Sequence, residues 1–225
     1  MKKAYNIIAV IIILLTLSSC LSPYTGDDDD GLPEPTTPIV NSDLFIPDNS
    51  TGKNVYTLNT NDPKYRTPSG YTLWTITSDA LEFNERTIIA QKPHGSSIAG
   101  YGMIICYAQR TVGDSQVPVF LTVMVNNNKQ YAIGKIINAS YNHLVHWTEG
   151  QGLLKGVGLT HKIKVVRDKD NPNKYNLYIN DVFERTFTDD EVPRCEGMGR
   201  NGLIVVIAPS DLNNSSVEVR FEEEK

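Results

Sequence analysis

The chain has 225 residues, with 21 Lys and Arg against 26 Asp and Glu and a formal charge of −5. Without Lys2 and Lys3 it stands at −7, and from Asp43 onward at only −2, because Asp27 to Asp30 and Glu34 precede that point. A nearly neutral domain with no basic stripe and no RNA-type aromatic motif excludes nucleic acid as the expected partner.

The N-terminus reads as an export signal. Lys2 and Lys3 form a positive start, and Ile7 to Leu15 an apolar run too short to span a bilayer as a mature helix. The run ends in Leu17-Ser18-Ser19-Cys20, which resembles the lipobox of bacterial lipoproteins. That resemblance implies a signal peptide over 1–19 and a Cys20 thiol that takes a diacylglyceryl group, with a further acyl chain such as palmitate on the freed amine. Each buried CH₂ contributes about 0.8 kcal/mol, so two or three chains hold a protein on a membrane. The expected location is the bacterial cell envelope, lipid-anchored on the outer membrane, at its periplasmic or surface face. Residues 20–42 then read as the lipidated cysteine and a tether. The Asp27–Asp30 run and prolines 23, 33, 35 and 38 oppose a packed core.

From residue 43 to 225 the chain reads as one domain, long enough to bury roughly 70% of its unfolded surface. Eleven strand-length segments follow in order: 71–77, 81–90, 100–109, 117–125, 130–137, 142–148, 161–168, 174–181, 182–189, 201–209 and 216–223. They are rich in Val, Ile, Tyr, Phe and Thr and divided by Gly, Pro, Asn and Asp. No helix is expected. "VNNNKQ" and "YINDVF" read as hairpin turns, because Asn and Asp tolerate the left-handed backbone. "SVEVRFEE" alternates as a strand with one wet face, whereas "GLIVVIA" is apolar on both sides and belongs at the centre of a sheet. The expected fold is an all-β, antiparallel two-sheet sandwich.

"GYGMIICY", the run from "VFLTVMVNNNKQYAIGKII" through "HLVHWT" to "YINDVFERTFTD", and "GRNGLIVVIAP" together resemble a concanavalin A-like, laminin G-like jelly roll. This superfamily also contains family 16 glucanases and the 3-keto-disaccharide hydrolase domain. The likeness is strongest from Gly100 to Pro209, and it implies fold more than activity.

Catalysis is not expected. Retaining glucanases of that superfamily need two carboxylates on one strand face about 5 to 5.5 Å apart, and no E-x-D-x-E run exists here. Glu82 and Glu85 are spaced to opposite faces of a strand. Glu218 and Glu222 share a face with Arg220 between them, as on a solvated edge. His143 and His146, three apart, are likewise expected on opposite faces, and with only His94 and His161 elsewhere no metal site is expected. Asp168, Asp170 and Asn171 form a loop that reads first as a turn; the resemblance to lectins makes calcium the one cofactor it would take. The glycines of "GQGLLKGVG" (150–158) read as turn formers leading into a strand.

Carbohydrate or another envelope or host macromolecule is the expected partner. Jelly rolls bind sugars by stacking flat rings on pyranose faces, with polar groups fixing the hydroxyls. Tyr107, Tyr131, Lys135, His146 and Trp147 are the candidate binding residues, since by resemblance their strands share one sheet. Each ring has the alternative of being core. Cys106 and Cys195 form an even pair in an oxidising compartment and are the candidate disulfide, with burial of Cys106 as an apolar residue the alternative.

Overall fold

The computed structural model describes residues 39–48, 54–59, 70–79, 83–192, 199–212 and 216–223. Fourteen strands occur among them: β1 Ile39–Asn41, β2 Phe45–Asp48, β3 Asn54–Asn59, β4 Tyr71–Ile76, β5 Glu85–His94, β6 Tyr101–Val112 and β7 Ser115–Val125. The others are β8 Gln130–Ile137, β9 Ser140–Glu149, β10 Thr160–Arg167, β11 Lys174–Ile179, β12 Val182–Thr188, β13 Arg200–Ile207 and β14 Glu218–Glu223. The described helical content is one 3-10 turn, Pro209–Leu212.

Two seven-stranded sheets result, ordered β1-β4-β13-β6-β7-β8-β9 (sheet A) and β12-β11-β10-β5-β14-β3-β2 (sheet B). All pairs are antiparallel except β1 with β4, which run parallel with Ile39 opposite Thr72. Each of the eleven expected strands is present. β1, β2 and β3 are additions, and β1 falls within the stretch that the sequence reading gives to the tether. β13 lies between β4 and β6, at the interior of its sheet as its two-sided apolar sequence requires. β14 lies between β5 and β3, so the Glu218–Glu222 face is wet but is not on an edge strand; this corrects the expectation.

The core fills the space between the sheets. Leu73, Met103, Leu121, Val123, Ile133, Leu203 and Val205 from sheet A meet Ile88, Ile163, Val165, Leu177, Val219 and Phe221 from sheet B. Burying each such side chain contributes about 1.5 to 3 kcal/mol. Two of the two-residue hairpins have positive φ at both central residues, Asn138–Ala139 (51° and 59°) and Asn180–Asp181 (50° and 64°), the backbone of a type I′ turn.

Polar groups in this layer are tied across it. Arg86 of β5, buried, donates from Nη1 to the carbonyls of Ile104 and Gly202 on sheet A, each at 2.7 Å, and from Nη2 to Glu223. Those carbonyls lie where β13 slips register against β6. A guanidinium thus satisfies backbone groups at an irregular point of the ladder. At the other end of β5, fully buried Lys92 donates to Ser96 O (2.9 Å) and Ala99 O (3.2 Å). Burial pulls its pKa down to about 8, with Asp211 opposing.

Candidate functional site

Sheet A is apolar on both faces, and its outer face carries a second cluster. Trp74, Ile104, Phe120, Met124, Ile136, Ile204 and Val206 are buried there, with Ile76, Tyr107, Tyr141 and Trp147 packed against them. Trp74 lies 5.4 Å from Tyr107 and 5.3 Å from Phe120 between ring centroids.

Three β-bulges select which side chains join this face. In β6, Cys106 has φ 60°, and the strand slips against β7 between Ile105 and Ala108. Ile105 and Cys106 both enter the inter-sheet core, and Tyr107 turns outward. β9 slips twice against β8, around Ile133. Strict alternation fails there, and His143 and His146 stack with centroids 4.3 Å apart, while Tyr141 meets His143 edge-on at 4.8 Å. The expectation that these histidines diverge is thereby corrected: period-2 counting does not survive a bulge.

The open part of the face is this strip along β9, the edge strand. Tyr141 lies over Gly134, where any Cβ would collide with its ring. A Cβ on Gly100 would sit 2.8 Å from Trp147 Cη2. The two glycines let large rings lie down on the sheet. Trp147 is half-buried, and its indole N–H has no hydrogen-bond partner among the described residues.

The five candidate residues do share one sheet, but not one face. Tyr107, His146 and Trp147 belong to the outer side. Tyr131 is a core ring, 2% exposed, and offers no face to a ligand; burial raises its pKa. Lys135 opens toward the other sheet and pairs with Asp189 at 3.0 Å and with Glu191. Burial disfavours its ammonium, but hydrogen bonds to Glu191 and Asp189 win and raise its pKa. It is a clamp between the sheets. Trp74, Phe120 and Tyr141 were not singled out by sequence; the glycine at 134 inside the strand-forming run "YAIGKII" is the trace that a ring lies above it.

Carboxylates are absent from the middle of this face. The register row Ile76, Gly202, Ile104, Thr122, Gly134 and His143 and the row Trp74, Ile204, Gly102, Met124 and Ala132 contain none. Elsewhere, Glu85 pairs with Lys164 and Glu218 with Arg220; Glu82 lies outside the described residues. The Asp168 loop is a closed turn: Oδ1 accepts from the amides of Asp170 and Asn171, each at 3.0 Å, and Oδ2 pairs with Lys174. Those amide bonds above all, and the Lys174 partner, hold its pKa low. Among the described residues no group of three or more His, Cys, Asp and Glu is placed to hold a metal ion. Cys106 is disulfide-bonded, and its Sγ lies 3.6 Å from Tyr175 Oη. Cys195 and Cys20 lie outside the described residues.

The fold is that of a concanavalin A-like jelly-roll sandwich. No protein-family model matches the chain, and no curated protein matches it. Among solved structures, it resembles a glycoside hydrolase family 16 endo-glucanase from Bacteroides ovatus, in complex with G4G3G-2F-DNP. That match has a TM-score of 0.54 and 9% identity, over 82% of this chain and 87% of that one. A Bacteroides ovatus mixed-linkage glucan family 16 protein in complex with G4G4G3G product matches at TM-score 0.50 and 10% identity, over 76% and 81%. A carbohydrate-binding module, CBM66 from Bacillus subtilis, matches at TM-score 0.49 and 12% identity, over 70% and 83%. The fold is thus one that family 16 glycoside hydrolases also have.

Proposed function

We propose that this chain is a lipid-anchored protein of the bacterial cell envelope whose jelly roll binds a glycan on the outer face of sheet A without cleaving it. The observation that carries the reading is the aromatic strip on β9. Tyr141 and Trp147 lie over glycines, beside a stacked histidine pair, and their rings are what a sugar on this strip would meet. Ring faces stack on the apolar side of a pyranose, and the exposed His146 imidazole fixes its hydroxyls. The family 16 neighbours, solved with oligosaccharides, support carbohydrate as the ligand class. The rows of sheet A without carboxylates support binding over hydrolysis, because a retaining mechanism needs two.

Glycan-array screening of the mature protein, with a reducing-end assay on every hit, tests this. Binding without new reducing ends is expected, and turnover of a bound glycan would overturn the non-catalytic reading. The anchor is tested separately: Cys20→Ser should move the protein from membranes to the soluble fraction. The partner of Cys106 in this reading is Cys195. Closing that loop of about 90 residues stabilises by up to about 4 to 5 kcal/mol in the chain-entropy model. Non-reducing peptide mass spectrometry should find the two cysteines in one cross-linked pair.

A further inference from the structure

Six large apolar side chains are exposed among the described residues: Ile46, Val112, Leu154, Val157, Val182 and Phe183. Four of them gather at one end of the sandwich. Leu154 and Val157 occupy the 150–159 loop, and Val182 and Phe183 open β12 beside it. The loop is joined to that hairpin by Glu184, whose carboxylate accepts from Gln151 N (3.0 Å) and Gly152 N (2.6 Å), and by Asn180, which donates to Gly152 O (2.8 Å).

The loop is braced rather than slack. Leu153 is buried in the core. His161 Nε2 donates to Leu154 O (3.2 Å), and its Nδ1 meets Tyr101 Oη at 3.1 Å. Gly156 N donates to Asn127 O and Gly158 N to Lys92 O, each at 3.0 Å. Burial lowers the His161 pKa, with the Leu154 carbonyl opposing. So many bonds to the loop backbone hold Leu154 and Val157 out at 54% and 58% exposure, where folding alone gains nothing from them.

The register shows which end this is. Ile39 pairs with Thr72, Thr72 with Val206, and Val206 N donates to Gly100 O. Next door, Tyr101 pairs with Val125, Val125 with Tyr131, and Tyr131 with Thr148, two residues before the loop. The chain coming from Cys20 therefore enters the domain at the end that displays the apolar residues. Lys129, Lys155, Lys162 and Arg185 surround the loop. Glu149 is paired with Lys129, Asp181 with Lys162, and Glu184 is committed to backbone amides. Cations exceed acids here, four to three, while the domain as a whole stands at −2.

We propose that this end docks on the lipid surface to which Cys20 is anchored, with Leu154, Val157 and Phe183 entering the headgroup layer and the flanking cations facing lipid phosphates. A side chain of this size gains about 1.5 to 3 kcal/mol on full burial, enough for a tethered domain although not for a free one. The inference rests on the lipid-anchor reading. It would leave the β9 strip at the side of a seated domain, open to a polymer running along the membrane.

The test uses acylated full-length protein in vesicles of phosphatidylethanolamine and phosphatidylglycerol, with mass spectrometry first establishing the acyl chains on Cys20. Hydrogen exchange should be at least about tenfold slower at 153–158 than in the unanchored Cys20→Ser protein, and unchanged at the opposite hairpin, 112–115. In acylated Leu154→Asp/Val157→Asp protein the protection should vanish while the protein stays with the vesicles. Equal exchange in the two settings overturns the docking, as does protection that follows protein density rather than lipid, which would mean a second copy. A missing acyl chain fails the anchor reading instead; docking is then judged with Cys20→Ser protein held on the same vesicles through an N-terminal histidine tag and a nickel-chelating lipid, where exchange at 153–158 equal to that of the free protein overturns it.

Discussion

The outer faces of the two sheets are built to different rules. On sheet B, strands β5, β10 and β14 alternate strictly, and the outward positions carry Glu85, Lys162, Lys164, Glu218 and Arg220, paired with one another or with neighbours. On sheet A, β13 and β7 are buried on both sides, and three bulges bring Tyr107, His143, His146 and Trp147 outward or together. A sheet that faces only water needs alternation and nothing more. Sheet B slips register too, between β11 and β12 and between β5 and β14, yet it keeps polar side chains outward; the apolar outer face of sheet A is the one the proposed glycan would meet.

The sharpest way to break that contrast is to treat sheet A's outer face as surface. Phe120, fully buried against Trp74 and Tyr107, should cost about 3 to 5 kcal/mol as Phe120→Ala in urea unfolding, as an inter-sheet aromatic does. A loss below 1 kcal/mol would mean that this face is ordinary surface.

Tyr131 and Trp147 sharpen it further, since they differ in which side of the sheet they serve. Tyr131→Ala should lower stability by about 3 to 5 kcal/mol. Trp147→Ala should instead weaken glycan binding by about 1 to 3 kcal/mol, read by titration calorimetry, with a smaller change in melting temperature.

Between the faces, Lys92 supplies a pH signature. Its folded pKa, about 8, lies below the ordinary 10.5, so the unfolded chain binds more protons between those values and stability rises with pH across them. The slope is at most about 1.4 kcal/mol per pH unit. Unfolding followed from about pH 7.5 to 9, before tyrosines of the unfolded chain ionise appreciably, should show a gain of roughly 1 kcal/mol that Lys92→Met abolishes. Smallest of all, Lys164→Ala on sheet B should cost under about 1 kcal/mol and less still in high salt, because its pair with Glu85 is exposed.

The strands were legible because their alternation and turn residues are local signals. Gln130–Ile137 reads off directly, and Asn180–Asp181 announces its own turn. What did not read off were features set by a partner strand. β1 carries no signal of its own, being three residues after a run of prolines, and becomes a strand only because β4 offers an edge. The bulges at Cys106 and in β9 are invisible to period-2 counting, which is why the stacked histidines read as divergent; Tyr131 and Lys135 read as site residues because the resemblance gives their sheet and not their face. Arg86 escaped notice, and the 150–159 loop read only as a glycine turn, for the same reason: their surroundings are carbonyls, amides and a chain entry point supplied by distant segments.

The parallel β1–β4 pair has a mechanical meaning as well. A pull on the chain N-terminal to Ile39 reaches the domain along the axis of β1, whose ladder to β4 is extended by Ser42 N donating to Trp74 O at 2.8 Å. Such a load shears the bonds together instead of peeling them one at a time. A domain gripping a polymer on one side and held through residue 39 on the other would pass drag through that short joint, and the strength of the joint would set how hard the ligand can be pulled before the sandwich opens.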